Sequence, residues 1–193
     1  MTLILRCFAT TLLALSLSLA PASSKAGPDA HAVGLIENML ADTHKTISSR
    51  GANQLPGTIS PYFAWEVWTR FLTKPRQKQF SGPQMRQIRQ LMPGYIAYLY
   101  VDRFAGGLTD IPVVTGTRPA RRDVAVFTQF QRSNGKTLPV GWRVKSFRDG
   151  QVRIVDILVG GVSFMLQTRE EFVAIVDNKG PDGLIAYLQR KSL

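Results

Sequence analysis

Cysteine is almost missing from this chain: its 193 residues include one, Cys7. No intrachain disulfide can form, and a thiolate zinc site has no ligands to draw on. Histidine is nearly as scarce. His31 and His44 fall on one predicted helix about 20 Å apart at ~1.5 Å per residue, too far to share a metal. Acidic residues number 13 against 24 lysines and arginines, a net charge of +11. Such an excess suits nucleic acid, anionic lipid or acidic partners. No basic run exceeds Arg121-Arg122, so the charge reads mainly as solvated surface. Beyond residue 20 no apolar stretch approaches the ~20 residues of a membrane span. Catalytic strings are missing too. Ser163 sits in "GGVSF" rather than G-x-S-x-G, and neither Gly106-Gly107 nor Gly160-Gly161 belongs to a phosphate loop. There is no internal repeat and no low-complexity segment.

What is present begins with a leader. Arg6 precedes an apolar run from Phe8 to Ala20, and Ala20-Pro21-Ala22 and Ser24-Lys25-Ala26 offer small-residue cleavage sites. Residues 1–26 therefore read as a secretory signal peptide, with an uncleaved anchor as the alternative. Cys7 stands too early for a lipoprotein. Cleavage leaves residues 27–193 as a single domain with 22 basic and 13 acidic residues, a net +9. Export argues against nucleic acid as partner and leaves an anionic membrane surface open. A cysteine-free exported domain must be held by its core, and a chain near 150 residues buries about 68–70 % of its unfolded surface.

The pattern from Pro28 to about Phe104 is helical. Ala32, Leu35, Ile36, Met39 and Leu40 recur at helical spacing, and Gly51 with "NQLPG" ends the element. Tyr62, Phe63, Trp65, Val67, Trp68, Phe71 and Leu72 mark a second, aromatic helix. Ser81 with Gln84 reads as a capping box for a third, carrying Met85, Ile88, Leu91, Met92, Tyr95, Ile96, Leu99 and Tyr100. Pro93-Gly94 inside it predicts a bend or a split.

From Ile111 the pattern changes to strands: "IPVVTGTRP", "DVAVFTQFQ", "VGWRVKSF" and "QVRIVDILV". Asn134-Gly135 and Asp149-Gly150 predict tight hairpins. Val124, Val126, Thr128 and Phe130 share one face, as do Val140, Trp142, Val144 and Ser146. Two helices follow. Thr168 with Glu171 resembles the cap of the first, and Asn178-Lys179-Gly180 ends it before Pro181-Asp182 opens the second. The predicted class is α+β: a curled four-stranded antiparallel sheet covered by N-terminal and C-terminal helices.

Asp156 is an acid inside an apolar strand. It reads either as a general base or as a half-buried carboxylate held by arginine or backbone amides, and the second is preferred because a lone buried charge is costly. Ser163, closing a strand before a helix, reads as a backbone-bonding residue. The remaining signal is apolar surface: three tryptophans, ten phenylalanines and five tyrosines. They either fill a core or enclose a cavity.

The C-terminal half carries a resemblance. Trp142 to Val144, Asp149-Gly150, Val152 to Ile157, Gly161 to Ser163, Arg169 with Phe172, and Gly180 with Gly183 to Leu188 together resemble the MlaC family of periplasmic phospholipid-binding proteins, also called toluene-tolerance or auxiliary ABC-transporter proteins. The hopanoid-associated HpnM branch is a further candidate. The resemblance is specific over residues 120–190 and weaker over 30–110. Thr168 stands where the family commonly has Tyr, and Val152 where it often has an aromatic residue.

The resemblance implies a soluble, non-catalytic carrier that moves phospholipid between an inner-membrane ABC transporter complex and an outer-membrane lipoprotein. It implies no cofactor beyond phospholipid as cargo, and a monomer. At about 0.8 kcal/mol per buried CH₂, some 30 such groups represent over ~20 kcal/mol, so a carrier must enclose its tails. The expected lining is Leu91, Tyr95, Tyr98, Val126, Phe130, Trp142, Val144, Val155, Ile157 and Val159, with Gly160 and Gly161 relaxing the strand at the cavity mouth. A docking adaptor and an isomerase-like enzyme using Asp156 are the competing expectations.

Overall fold

The computed structural model describes residues 28–102, 111–132 and 135–193. Both the leader and Gly106-Gly107 lie outside these residues, as does Asn134 of the expected hairpin. Among the described residues are five α-helices and five strands: α1 (Pro28–Arg50), α2 (Leu55–Ile59), α3 (Trp65–Thr73), α4 (Gly82–Tyr100), β1 (Val113–Ala120), β2 (Asp123–Gln131), β3 (Thr137–Ser146), β4 (Val152–Val159), β5 (Val162–Ser163) and α5 (Phe164–Arg190). The strands form one antiparallel meander in the order β1-β2-β3-β4-β5, curled and unclosed.

The sheet has one strand more than expected. Gly160 and Gly161 both take positive φ, 59° and 83°, the pair a two-residue primed hairpin turn requires. Val159 therefore pairs with Val162 and Leu158 with Ser163. The two glycines fold the chain back sharply instead of loosening it. This short strand covers one half of the β4 edge. The other half is covered by Phe63, which bridges Ile154, and by Ala64, whose N–H donates to the Ile154 carbonyl at 3.0 Å. Edges covered in this way resist pairing with other chains.

Local signals explain most boundaries. Ser81 and Gln84 close the expected capping box at the start of α4. Pro93 does not split that helix, which keeps helical backbone through Tyr100. Met92, Tyr95, Ile96 and Ala97 are all buried around it, and this packing outweighs the one lost hydrogen bond. The "NQLPG" region holds the short α2 rather than a plain turn. Thr168 is not a cap: it is buried inside α5. The helix starts five residues earlier, because the Ser163 hydroxyl accepts from Leu166 N–H and the hairpin leaves no room for a longer loop. Gly180, at φ 67° and ψ −179°, breaks α5 where two helices were expected; only glycine adopts that backbone readily.

The core lies between the helices and one face of the sheet. Val126, Phe130, Val140, Trp142, Val144 and Ile154 meet Ile36, Leu40, Trp68, Ile88, Met92 and Leu184.

Candidate functional site

One end of that core is not fully packed. Met39 and Thr43 of α1, Leu55 and Ile59 of α2, and Ile96, Ala97, Leu99 and Tyr100 of α4 form one wall of a cavity. Phe130, Val140, Trp142, Ile157 and Val159 of the sheet form the other, with Phe63 and Phe164 between. Nearly the whole lining is hydrocarbon and aromatic ring. The polar ends of Trp142 and Tyr100 are turned to other uses or held neutral. Trp142 donates its indole N–H to Thr128 Oγ1 at 2.9 Å, and that hydroxyl donates to the Val140 carbonyl at 3.1 Å. The Trp142 ring is thereby fixed against Phe130, 6.4 Å between centroids. Burial pushes the Tyr100 hydroxyl up to about 12, so it stays uncharged at any physiological pH.

The cavity volume is about 60 Å³, well below the ~150 Å³ of an apolar cavity that takes up benzene. In this conformation the two walls nearly meet. The space is a seam between a helical layer and a sheet, and both of its faces are apolar.

Four of the expected lining residues lie on this seam: Phe130, Trp142, Ile157 and Val159. Val126 and Val144 share their face of the sheet but are buried deeper in the core. Leu91 is half-buried against the same core. Tyr95 and Tyr98 are on the side of α4 that faces α5. The Tyr95 hydroxyl approaches Glu171 Oε2 at 3.4 Å and its ring meets Phe172 and Tyr187. Burial, then the Glu171 charge, raises its pKa. Tyr98 accepts from Lys191 Nζ at 2.9 Å.

Val155 departs from the expected alternation. Register shifts between Arg143 and Val144, so Val144 faces Ile154 while Arg143 faces Asp156. That bulge inserts Val155 as the extra residue, and side chains before and after it change parity. Ile154, Ile157 and Val159 face the core; Val155, Asp156 and Leu158 line a groove on the opposite face. The Ile154 carbonyl at the bulge accepts from both Ala64 N–H and the Trp68 indole at 3.1 Å. Met39, Thr43, Leu55, Ile59, Phe63 and Phe164 were not expected on the wall; their burial periodicity marks them only as core.

Asp156 is 4 % exposed and fully engaged. Its Oδ1 accepts from Ile157 N–H at 2.8 Å and Met165 N–H at 3.2 Å, and its Oδ2 from Ser163 Oγ at 2.7 Å. Arg143 stands 3.7 Å away and also pairs with Asp123. The carboxylate points away from the apolar seam. Among the described residues no group of acids and histidines could hold a metal, and no helix is long and apolar enough to cross a membrane.

Comparison with known proteins follows this geometry. The family model described as MlaC protein matches residues 35–190. No curated protein matches. Among solved structures, a phospholipid-binding protein from Ralstonia solanacearum, determined in complex with a phospholipid, superposes with a TM-score of 0.69 at 17% sequence identity. The match covers 86% of this chain and 97% of that one.

Proposed function

The chain belongs to the MlaC family, and on that premise we propose that it is a periplasmic phospholipid carrier, exchanging lipid with an inner-membrane ABC transporter complex and an outer-membrane lipoprotein. Family and fold neighbour both point to binding and transport rather than to an enzyme. The observation that carries the reading is the seam itself, whose two walls are apolar and belong to different layers of the fold.

At about 60 Å³ the seam does not accommodate acyl chains as it stands. Loading requires α1, α2 and the C-terminal half of α4 to move off β3 and β4. The cost of parting two apolar surfaces is offset when hydrocarbon replaces each side's partner, at about 0.8 kcal/mol per CH₂ enclosed. An unloaded protein closes again by the same term. The carrier thus needs no permanent large hollow.

Organic extraction of the purified protein followed by mass spectrometry tests this. The expected result is diacyl glycerolipid at close to one per chain. Hopanoid in its place redirects the cargo assignment. Protein that is lipid-free and takes up no phospholipid from vesicles, yet binds a transporter, contradicts carriage and favours an adaptor.

A further inference from the structure

Helix α4 carries its weakest point near its middle. Pro93 has no N–H to offer the Arg89 carbonyl four residues back, and Gly94 follows it. These are the two residue types least suited to a helix interior. The helix keeps its course through them, but its two halves do different work. Ile88 and Met92 are fully buried in the tight part of the core, whereas Ile96, Ala97, Leu99 and Tyr100 line the seam. Helix bends centre on proline, so the joint falls where the half that must move meets the half that must not.

Behind the joint lies the segment that follows α5. Gly94 and Tyr98, one turn apart, share a stripe of α4 that faces away from the seam stripe of Ile96 and Tyr100. Gly94 is buried, and Ser192 packs on it closely. A methyl group built on Gly94 would overlap the Ser192 hydroxyl and lie 3.1 Å from its Cβ. The backbone of Gly94 does not call for glycine, since its φ is not positive; the approach of Ser192 does. The Leu193 N–H points to the Gly94 carbonyl at 3.4 Å. One turn on, Lys191 Nζ donates to the Tyr98 hydroxyl at 2.9 Å and stands 4.8 Å from the centre of its ring. Lys191 also caps α5, its N–H bonded to the Tyr187 and Leu188 carbonyls. The segment is thus anchored to one helix and laid across another.

Direction decides what this contact does. To leave β3 and β4, the second half of α4 must swing toward its opposite side, and Ser192 already fills that side at Gly94. We propose that Lys191 and Ser192 form a strap that must lift before α4 can bend at Pro93-Gly94 and admit lipid to the seam. Lys191 holds the strap down through Tyr98, on the half of the helix that moves, and Ser192 is the backstop. The strap leaves the closed protein stable and sets how fast it opens, as gating segments do. This inference rests on the carrier reading and adds to it the element that controls loading.

Initial uptake of radiolabelled phosphatidylglycerol from vesicles by lipid-stripped protein tests it. Gly94→Cys/Ser192→Cys, in a Cys7→Ser background that leaves no other thiol, allows the strap to be locked. Disulfide Cβ atoms lie about 3.5–4.5 Å apart, so the pair closes with a small outward shift of the strap. The oxidised form is expected to load at least about tenfold more slowly than the same protein after dithiothreitol. Lys191→Met, which frees Tyr98, should speed loading about two- to tenfold, the effect of removing one hydrogen bond. Arg190→Gln, a charge-matched control at an exposed neighbour, should leave the rate as it is. The strap is overturned if the oxidised pair loads as fast as the reduced one, or if Lys191→Met loads no faster than Arg190→Gln. Wild type that takes up no phospholipid overturns the carrier reading, and the strap with it.

Discussion

Asp156 shows how one residue's role depends on what its backbone neighbours need. A buried carboxylate with free lone pairs is a candidate base; here three donors from β4, Ser163 and the first turn of α5 already occupy it. Its work is to join the last long strand to the last helix. Asp156→Ala strands those donors and the nearby Arg143. We predict a loss of about 3 kcal/mol in urea unfolding, given ~1–3 kcal/mol for each buried group left unsatisfied. A loss under about 1 kcal/mol contradicts the structural role. The half-buried, partnered reading was available from sequence, because an isolated charge in an apolar strand needs a partner somewhere. Which partners was not: Met165 N–H becomes one only because the Gly160-Gly161 turn brings α5 back onto β4.

At the scale of elements, the first four strands of the meander, the Asp149-Gly150 turn, the Ser81 cap and the Gly180 break were legible, since each rests on residues adjacent in the chain, whereas the Gly160-Gly161 hairpin and the fifth strand were not. The β4 bulge was not. It depends on the Ile154 carbonyl finding two donors on the Phe63–Trp68 segment, roughly ninety positions earlier. The same limit applies to α4. Periodicity locates its apolar stripes but not which stripe faces the sheet and which faces α5, and this helix is buried on both sides. Hence Tyr95 and Tyr98 meet α5, while Ile96, Ala97, Leu99 and Tyr100 meet the seam.

The bulge makes a sharp prediction for the two faces of β4. Ile157→Asp puts a carboxylate into the apolar wall and should lower retained phospholipid by at least about tenfold, since an unpaired buried charge costs several kcal/mol. Leu158→Asp, one residue on and facing the other way, and Lys145→Ala should both keep it. Lipid quantified after gel filtration checks this; equal losses in all three variants contradict the assignment of faces.

For the molecule as a whole, two layers meet across an apolar contact that is tight along most of its length and narrow but unfilled at one end. The tight part, from Trp68 to Leu184, provides the stability that a domain without disulfides needs. The open end involves α1, α2, half of α4 and three strands, with Phe63 and Phe164 between them, so it can part without unfolding the rest. Sequence composition foretold the apolar excess. It could not divide that excess between core and seam, since both use the same residues and differ only in how closely they pack.

That acyl chains enter between these layers is the claim on which the functional account stands. The most direct measurement loads lipid-stripped protein with a phospholipid whose acyl chains are brominated and follows tryptophan emission. Trp142 lies on the seam wall, so emission should be quenched on loading, and Trp142→Phe should remove most of the quenching. Stoichiometric lipid uptake with Trp142 emission unchanged would place the cargo elsewhere and contradict the account.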